Sequence, residues 1–228
     1  MLSRYRLAEA AALLGDPARA GMVTALWDGT ARAAGDLARV AGVTPATASA
    51  HLAKLVAGGI LRVEPRGRHR YYRLAGPDVA QALESLAGLL PPAPAGAREP
   101  DAPLRRARFC YDHLAGRLGT AISDALVARR LLVLDDGAYS LAHGGRAWFR
   151  RFGIAVDSLA LARRPLLRAC IDWTERREHV GGALGAALAM HLLERDWLRR
   201  QRGSRVVLVT TAGRSGLQRA LGLRWESI

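Results

Sequence analysis

The sequence lacks the features that mark secreted proteins and membrane proteins. Among its 228 residues are only two cysteines, Cys110 and Cys170, so it has no set of cysteines from which the disulfide framework of a small secreted domain is built. No uncharged apolar run approaches the roughly 18 residues that a membrane-spanning helix needs. The first residues predict an apolar helix that Glu9 interrupts, which is unlike a signal peptide. We therefore expect a cytoplasmic protein without a membrane partner.

Motifs of catalysis are missing as well. The chain has no glycine-rich phosphate loop, no nucleophile elbow and no pair of carboxylates at a catalytic spacing. The segment His143-Gly144-Gly145 has no strand-turn-helix context, and we interpret it as the start of a helix. We therefore expect that the protein is not an enzyme and needs no cofactor.

Lysine is nearly absent, yet the chain is strongly basic. Lys54 is the single lysine among 34 lysine and arginine residues, which outnumber 20 acidic residues and give a formal net charge of +14. Such a chain favours an anionic partner, and salt would weaken the association. Most of the excess charge lies after Leu90, where we interpret it as a solvated surface rather than as a second binding site.

The most informative segment is residues 35–74. Residues 36–41 predict a short helix that Gly42 ends, since glycine suits the left-handed conformation after a helix. Thr44 is suited to cap a second helix that begins at Pro45 and extends to about residue 57. The apolar stripe of that helix, at helical spacing, is Ala48, Leu52, Leu55 and Val56.

A basic β-hairpin follows the second helix. Residues 60–63 and 69–74 predict its two strands, and residues 64–68 predict the turn. A hairpin of this charge is suited to contact phosphates or the minor groove of DNA. Glu64 is the single acidic residue among its basic residues, which are Arg62, Arg66, Arg68, His69, Arg70 and Arg73.

The segment GVTPATASAHLAKLVAGGILRVEPRGRHRYYRL resembles the winged helix-turn-helix of ArsR/SmtB-type bacterial transcriptional regulators. The resemblance covers about residues 4–90 and implies a homodimer that binds an inverted repeat in double-stranded DNA and usually represses transcription. It also implies that helices at residues 6–15 and 77–90 build the dimer interface. The predicted DNA-binding residues are Thr44, Pro45, Thr47, Ser49, His51 and Lys54 of the recognition helix, and Arg66, Arg68, His69 and Arg70 of the wing.

The two metal sites that are familiar in this family are absent. The helix before the turn, DLARVAG, has no cysteine, histidine or pair of carboxylates. The helix after the wing contains Asp78 and Glu84 but no histidine. Because the chain departs from the family's pattern at both places, we expect no metal at either position.

The chain after the winged helix predicts a second domain. Residues 1–90 form the DNA-binding and dimerisation domain, residues 91–103 are a Pro/Ala-rich linker, and residues 104–228 form a C-terminal domain. Its units, about 104–160 and 165–224, resemble each other: HLAGRLG at residues 113–119 recurs as HVGGALG at residues 179–185. Each unit predicts a helix, a hairpin and a closing helix, in the manner of a degenerate winged helix. The predicted fold class is mainly α with small β-hairpins (α+β).

Each unit carries a cysteine, an aspartate and a histidine near the predicted start of its long helix. If the units meet there, the thiols and imidazoles converge, and three interpretations stay open: buried residues without a function, a dithiol–disulfide switch, or a site for a soft metal such as zinc or cadmium. A tryptophan beside arginines offers a further site, for an aromatic acid. The candidate effector residues are Cys110, Asp112, His113, Cys170, Asp172, Trp173, Arg176 and His179.

Together these observations predict a homodimeric DNA-binding repressor. The C-terminal domain would sense an effector, such as a small molecule, that releases the repressor from its operator. The alternatives are a regulator that responds to thiol oxidation or a soft metal through Cys110 and Cys170, and an architectural DNA-binding protein without an effector.

Overall fold

The computed structural model describes residues 4–67, 69–89, 102–202 and 204–228. The chain divides into two compact units, residues 1–80 and 81–228. The predicted linker, residues 91–103, lies outside the described residues except for Ala102 and Pro103, which begin a short helix. Within the described ranges, no helix combines the length and the apolar character that crossing a membrane requires.

The first unit is a winged helix-turn-helix. Its elements are α1 (Arg4–Leu14), α2 (Pro17–Ala25), β1 (Arg32–Ala33), α3 (Ala34–Ala41), α4 (Pro45–Ala57), β2 (Leu61–Arg66) and β3 (His69–Leu74). Helix α5 (Pro77–Leu89) begins at the end of this unit. The three strands form an antiparallel sheet in the order β1-β3-β2. The predicted winged helix and the mixed α and β content are therefore confirmed.

Apolar side chains at helical spacing build the core of the first unit. Leu37 of α3, with Leu52 and Leu55 of α4, is fully buried, and so is Leu26, which follows α2. Leu74 at the end of β3 is equally buried. The core therefore holds α4 by one face and leaves its opposite face to the solvent.

The second unit contains two segments with the same order of elements. After α6 (Ala102–Arg106), the first segment comprises β4 (Arg108–Cys110), β5 (His113–Ala115), α7 (Gly116–Ala128), β6 (Leu132–Asp135), β7 (Ala138–Leu141) and α8 (Gly145–Phe152). Helix α9 (Val156–Ala160) leads to the second segment. It comprises β8 (Arg168–Ile171), β9 (Glu178–Gly181), α10 (Gly182–Glu194), β10 (Leu198–Arg200), β11 (Val207–Val209) and α11 (Thr211–Leu221), which a short 3₁₀ helix (Trp225–Ser227) follows.

The two segments share one hydrophobic core. Leu118 and Leu126 of α7 belong to the same buried cluster as Leu184 and Leu192 of α10. The packing is reciprocal, because α7 contacts β9 of the other segment and α10 contacts β5. The hairpins β4–β5 and β8–β9 are thereby brought together at one place in the unit.

In the first unit, the cysteine, aspartate and histidine lie on a hairpin before the long helix, and not on the helix itself. Cys110 and His113 are paired residues of two short antiparallel strands, and Tyr111 and Asp112 form the turn between them. Tyr111 has a φ of 60°, a conformation that turns adopt and helices do not. The helix starts only at Gly116, so Cys110 lies on a strand that precedes it.

Candidate functional site

The turn that precedes α4 has the geometry that the sequence predicts. Gly42 ends α3 in the left-handed conformation with a φ of 65°, where a side chain would cause strain. Thr44 Oγ1 accepts a hydrogen bond from the Thr47 N–H at 3.2 Å and thereby caps α4. Pro45 is the first residue of the helix. The two caps fix where the recognition helix begins and how it leaves α3.

The outer face of α4 is exposed and carries no acidic side chain. Small or polar side chains occupy it, and Lys54 adds a positive charge in the last turn. A helix is roughly 10–12 Å wide with its side chains, which fits the major groove of about 12 Å. Most of the predicted recognition residues are exposed on this helix or at its cap, namely Thr44, Pro45, Thr47, Ser49 and Lys54.

His51 differs from this prediction because it is largely covered. It lies three residues after Ala48 and four before Leu55, both of which are buried, and this spacing places it beside the core stripe. Its side chain is 16% exposed, and its Nδ1 lies 3.2 Å from Arg19 Nη1. His51 therefore ties α4 to α2 instead of facing outward.

The wing is a regular two-stranded hairpin with a basic tip. Arg66 pairs with His69, so the first strand of the hairpin extends three residues beyond its predicted end. Arg66, His69 and Arg70 are exposed, whereas the predicted contact Arg68 lies outside the described residues. A hydrogen bond from Arg73 at 3.1 Å lowers the pKa of Glu64, which remains a carboxylate within the basic hairpin.

A concave surface connects the recognition helix with the wing. Ser49 and Ala53 of α4 line one side of it, and Val63, His69 and Arg70 of the hairpin line the other. None of the described residues that line this surface is acidic. A DNA backbone that passes over it would meet the polar Ser49 side chain from α4 and the positive charge of Arg70 from the hairpin.

In the second unit, four buried side chains meet between the hairpins β4–β5 and β8–β9. They are Cys110, His113, Cys170 and His179, whose ligating atoms all lie within 4.8 Å of one another. Cys110 is the cross-strand partner of His113, and Cys170 is the cross-strand partner of His179. Each hairpin therefore supplies one thiol and one imidazole from paired positions. The sequence comparison of the two units predicted this set of residues, but it placed them on helices.

The two thiols face each other. Cys110 Sγ and Cys170 Sγ are 3.7 Å apart, and both cysteines are free and almost completely buried. The hydrogen bond between them, together with burial, raises the pKa of Cys110. The same bond, with the nearby imidazoles of His113 and His179, lowers the pKa of Cys170. The pair therefore favours negative charge on Cys170.

Each histidine has one ring nitrogen directed at a carboxylate. His113 Nδ1 lies 3.2 Å from Asp112 Oδ1, and Arg164 holds the other oxygen of Asp112 at 2.6 Å. Burial opposes the charged imidazole, but the bond to Asp112 and the nearby Cys170 thiol raise the pKa of His113 to about 9. His179 Nδ1 lies 3.9 Å from Asp172 Oδ2. Among the described residues, His113 Nε2 and both ring nitrogens of His179 have no hydrogen-bond partner.

A buried network of charges surrounds the cluster. Arg108, which is fully buried, contacts Asp172 at 3.0 Å and Glu84 at 3.6 Å, and Arg205 contacts Glu84 at 3.2 Å. Burial raises the pKa of Glu84. Asp172 is also desolvated, but Arg108 and the hydrogen bond from Thr174 lower its pKa. Two cations thus offset two carboxylates beside the cluster.

Sequence reasoning missed this network. A signal in the sequence was Glu84, a charged residue at helical spacing from the apolar Ala80, for which the sequence offered no partner.

Trp173 and Arg176, the residues of the predicted site for an aromatic acid, contact different groups. The Trp173 ring lies against the Arg108 guanidinium, with 5.2 Å between the carbon of that group and the ring centre. Arg176 is exposed and donates to the Gly88 backbone oxygen at 3.2 Å. The two side chains have different partners, because Asp172 turns the chain between them by accepting hydrogen bonds from the segment that follows it.

Comparisons with known proteins agree with the geometry of the first unit. A family model described as a helix-turn-helix domain matches residues 14–64. The chain is 37% identical over 221 residues to the HTH-type transcriptional regulator YdfF of Bacillus subtilis (strain 168), a match that covers 96% of this chain and 98% of the relative.

Solved structures of similar winged helices cover only part of the chain. One is the homodimeric winged helix-turn-helix DNA-binding domain of Mb0332 from Mycobacterium bovis, which is 30% identical over 36% of this chain and 75% of that chain, with a TM-score of 0.34. Another is the cadmium metal-sensor CMTR from Mycobacterium tuberculosis, which is 31% identical over 40% of this chain and 99% of that chain, with a TM-score of 0.31.

The fold of the first unit and the exposed recognition helix define a DNA-binding transcriptional regulator of the winged helix-turn-helix class. Within that class, the chain belongs to the family of HTH-type transcriptional regulators that includes YdfF, and the predicted helix-turn-helix regulator is confirmed.

Proposed function

We propose that this regulator is a homodimeric repressor that binds an inverted repeat in double-stranded DNA. The observation that carries the proposal is the outer face of α4, which is capped, exposed and without acidic residues beside a basic wing. In this arrangement Thr47, Ser49 and Lys54 face the major groove, and Arg66 and Arg70 neutralise phosphates beside it. Half-sites about 34 Å apart, one turn of the double helix, would match a twofold dimer.

The dimer is supported by apolar side chains of α1 and α5 that are exposed to solvent in a single chain. From Arg6 to Ala12 every side chain of α1 is exposed, and Leu7 is 71% exposed. In α5, Leu86 and Leu89 are 50% and 79% exposed. Exposed apolar helices of this kind mark association surfaces, and a twofold contact with a second copy buries the same surface on both chains.

The C-terminal unit is proposed as the sensor. We infer that residues 104–160 and 165–224 are duplicated units and that an effector acting on them changes how the recognition helices meet DNA. To reverse operator occupancy from 99:1 to 1:99, an effector needs a preference of about 5.5 kcal/mol for the form that does not bind DNA.

A footprint of the full chain on the promoter region upstream of its own reading frame tests the proposal. We expect protection of an inverted repeat, with two protected half-sites. Protection that is equally strong on unrelated sequences would instead support an architectural DNA-binding protein, and it would overturn the repressor.

The contribution of the wing is tested by its salt dependence. The double variant Arg66→Ala/Arg70→Ala is expected to weaken binding to all sequences, and each lost phosphate contact should reduce the slope of log affinity against log salt by about one. The control is Arg150→Ala/Arg151→Ala, which removes the same charge from exposed positions of α8. An unchanged slope in the wing variant, or an equal change in the control, would remove the wing from the DNA interface.

A further inference from the structure

The cysteine–histidine cluster presents four ligand atoms from two hairpins to a common centre. Cys110 and His113 come from β4–β5, and Cys170 and His179 come from β8–β9. All four side chains are buried, with exposures between 0% and 7%. Two thiols and two imidazoles are a ligand set that zinc uses in closed structural sites.

The separation of the two sulfur atoms matches a tetrahedral ion. A zinc–sulfur bond of roughly 2.3 Å places two sulfur atoms about 3.8 Å apart at the corners of a tetrahedron. The Cys110 and Cys170 Sγ atoms are 3.7 Å apart, and the remaining distances among the four ligand atoms reach no more than 4.8 Å. A disulfide would require the sulfur atoms at about 2.05 Å. The spacing therefore fits an ion between the sulfur atoms.

The hydrogen bonding of the histidines also points to an ion. Buried polar atoms nearly always have a partner, but His113 Nε2 and the His179 ring nitrogens have none among the described residues. Histidines that bind metals commonly donate the other ring N–H to a carboxylate, which orients the ring. Asp112 at 3.2 Å from His113 Nδ1 and Asp172 at 3.9 Å from His179 Nδ1 occupy that position.

A divalent cation balances the charge of the cluster when both thiols are ionised and both imidazoles are neutral. Two thiolates and two neutral imidazoles carry a charge of about −2, which a divalent ion neutralises. The surrounding network is already balanced, since Arg108 and Arg205 face Glu84 and Asp172. A filled site therefore adds no net charge to the interior, where uncompensated charge is expensive.

We propose that Cys110, His113, Cys170 and His179 bind one Zn²⁺, or a soft divalent ion of the same class, in a closed four-ligand site. Both histidines bind through Nε2, and Asp112 and Asp172 are positioning residues. Relative to two thiols and two neutral imidazoles, binding forms two sulfur–metal and two nitrogen–metal bonds, breaks two S–H bonds and releases their two protons to solvent. The ion connects the two hairpins. This site goes beyond the proposed function, because it forms whether or not the chain recognises an operator.

Metal content and a cobalt spectrum test the proposal on the full chain. Chain purified without chelators, or reconstituted with Zn²⁺ after chelation, is expected to hold one ion per chain by elemental analysis. Replacement by Co²⁺ should give the intense visible bands and the thiolate charge-transfer band of tetrahedral coordination. The variants Cys110→Ser and His179→Gln should lose the stoichiometric ion, whereas His143→Gln, which changes an exposed histidine, should keep it.

The wild-type titration keeps the proposal falsifiable even if a ligand variant does not fold. In that titration, the metal-free chain competes with a chromogenic chelator for Zn²⁺. No competition, an octahedral cobalt spectrum, or loss of the ion in His143→Gln would overturn the site. A chain that takes up no metal but forms a Cys110–Cys170 disulfide under mild oxidant would overturn it in favour of a thiol switch. An absent operator footprint would leave the result of this titration unchanged, so the two proposals fail separately.

Discussion

At the scale of single residues, the metal proposal depends on carboxylates that do not touch the ion. Asp112 orients His113 and is itself held by Arg164. We predict that Asp112→Asn lowers the affinity for Zn²⁺ by about 10–100-fold and keeps the tetrahedral cobalt spectrum, because the four ligands remain. Competition with a chelator measures the affinity. The matched control is Asp124→Asn, an exposed aspartate that bonds Arg177, and an equal loss there would contradict the positioning role.

The buried arginine beside the cluster makes a second residue-scale prediction. In Arg108→Met, Glu84 and Asp172 lose a buried cation at 3.6 and 3.0 Å. We expect the free energy of unfolding to fall by about 3–5 kcal/mol, because uncompensated buried carboxylates remain. Urea unfolding measures this. Arg199→Met removes an exposed ion pair with Asp196 and should have little effect, so similar losses in both variants would count against the buried network.

These residues also show which contacts a sequence reveals. Gly42 and Thr44 were predicted correctly, because a helix cap acts on residues within four positions of itself. The contacts of Arg108 with Glu84 and Asp172 join residues that are distant in the chain, and no local pattern encodes such a pairing. His51 lies between these cases: its spacing from Ala48 and Leu55 was visible, but its polarity suggested the outer face.

At the scale of elements, the start of α10 depends on a close approach to the hairpin before it. A Cβ on Gly185 would lie 2.4 Å from the Val180 backbone oxygen and 3.3 Å from His113 Cβ. We predict that Gly185→Ala lowers the free energy of unfolding by about 1–3 kcal/mol, since backbone cannot yield as a flexible side chain does. Thermal and urea unfolding measure the change. Gly144→Ala, whose Cβ would meet nothing within 4 Å, is the control and should change stability much less.

The best-predicted elements are strands of six residues that flank a glycine-containing turn. The wing strand β3 was predicted as residues 69–74 and is observed as His69–Leu74. The hairpins β4–β5 and β8–β9 were missed, because three or four residues per strand are too few to show an alternating pattern. The cluster could still be identified from the sequence, because cysteine and histidine recur in the same order in the two units. That recurrence is visible whether the residues lie on helices or on strands.

At the scale of the whole molecule, the proposed twofold dimer makes DNA binding dependent on α1. Leu7 is 71% exposed on that helix, so a charge there would have to be buried against the second copy. We predict that Leu7→Glu converts the dimer to a monomer in sedimentation equilibrium. It should also weaken binding to the full inverted repeat at least about tenfold, or about 1.4 kcal/mol, because the half-sites are no longer bound by one particle.

A control variant at a more exposed leucine distinguishes loss of the dimer from a general loss of solubility or folding. Leu161 is 89% exposed in the second unit, and the control variant Leu161→Glu should remain dimeric and bind DNA normally. The Zn²⁺ content of Leu7→Glu should equal that of the wild type, because all four proposed ligands come from one chain. If Leu7→Glu stays dimeric, the second copy does not cover α1. The two recognition helices would then have to be joined through another surface, for which Leu86 and Leu89 of α5 are the next candidates.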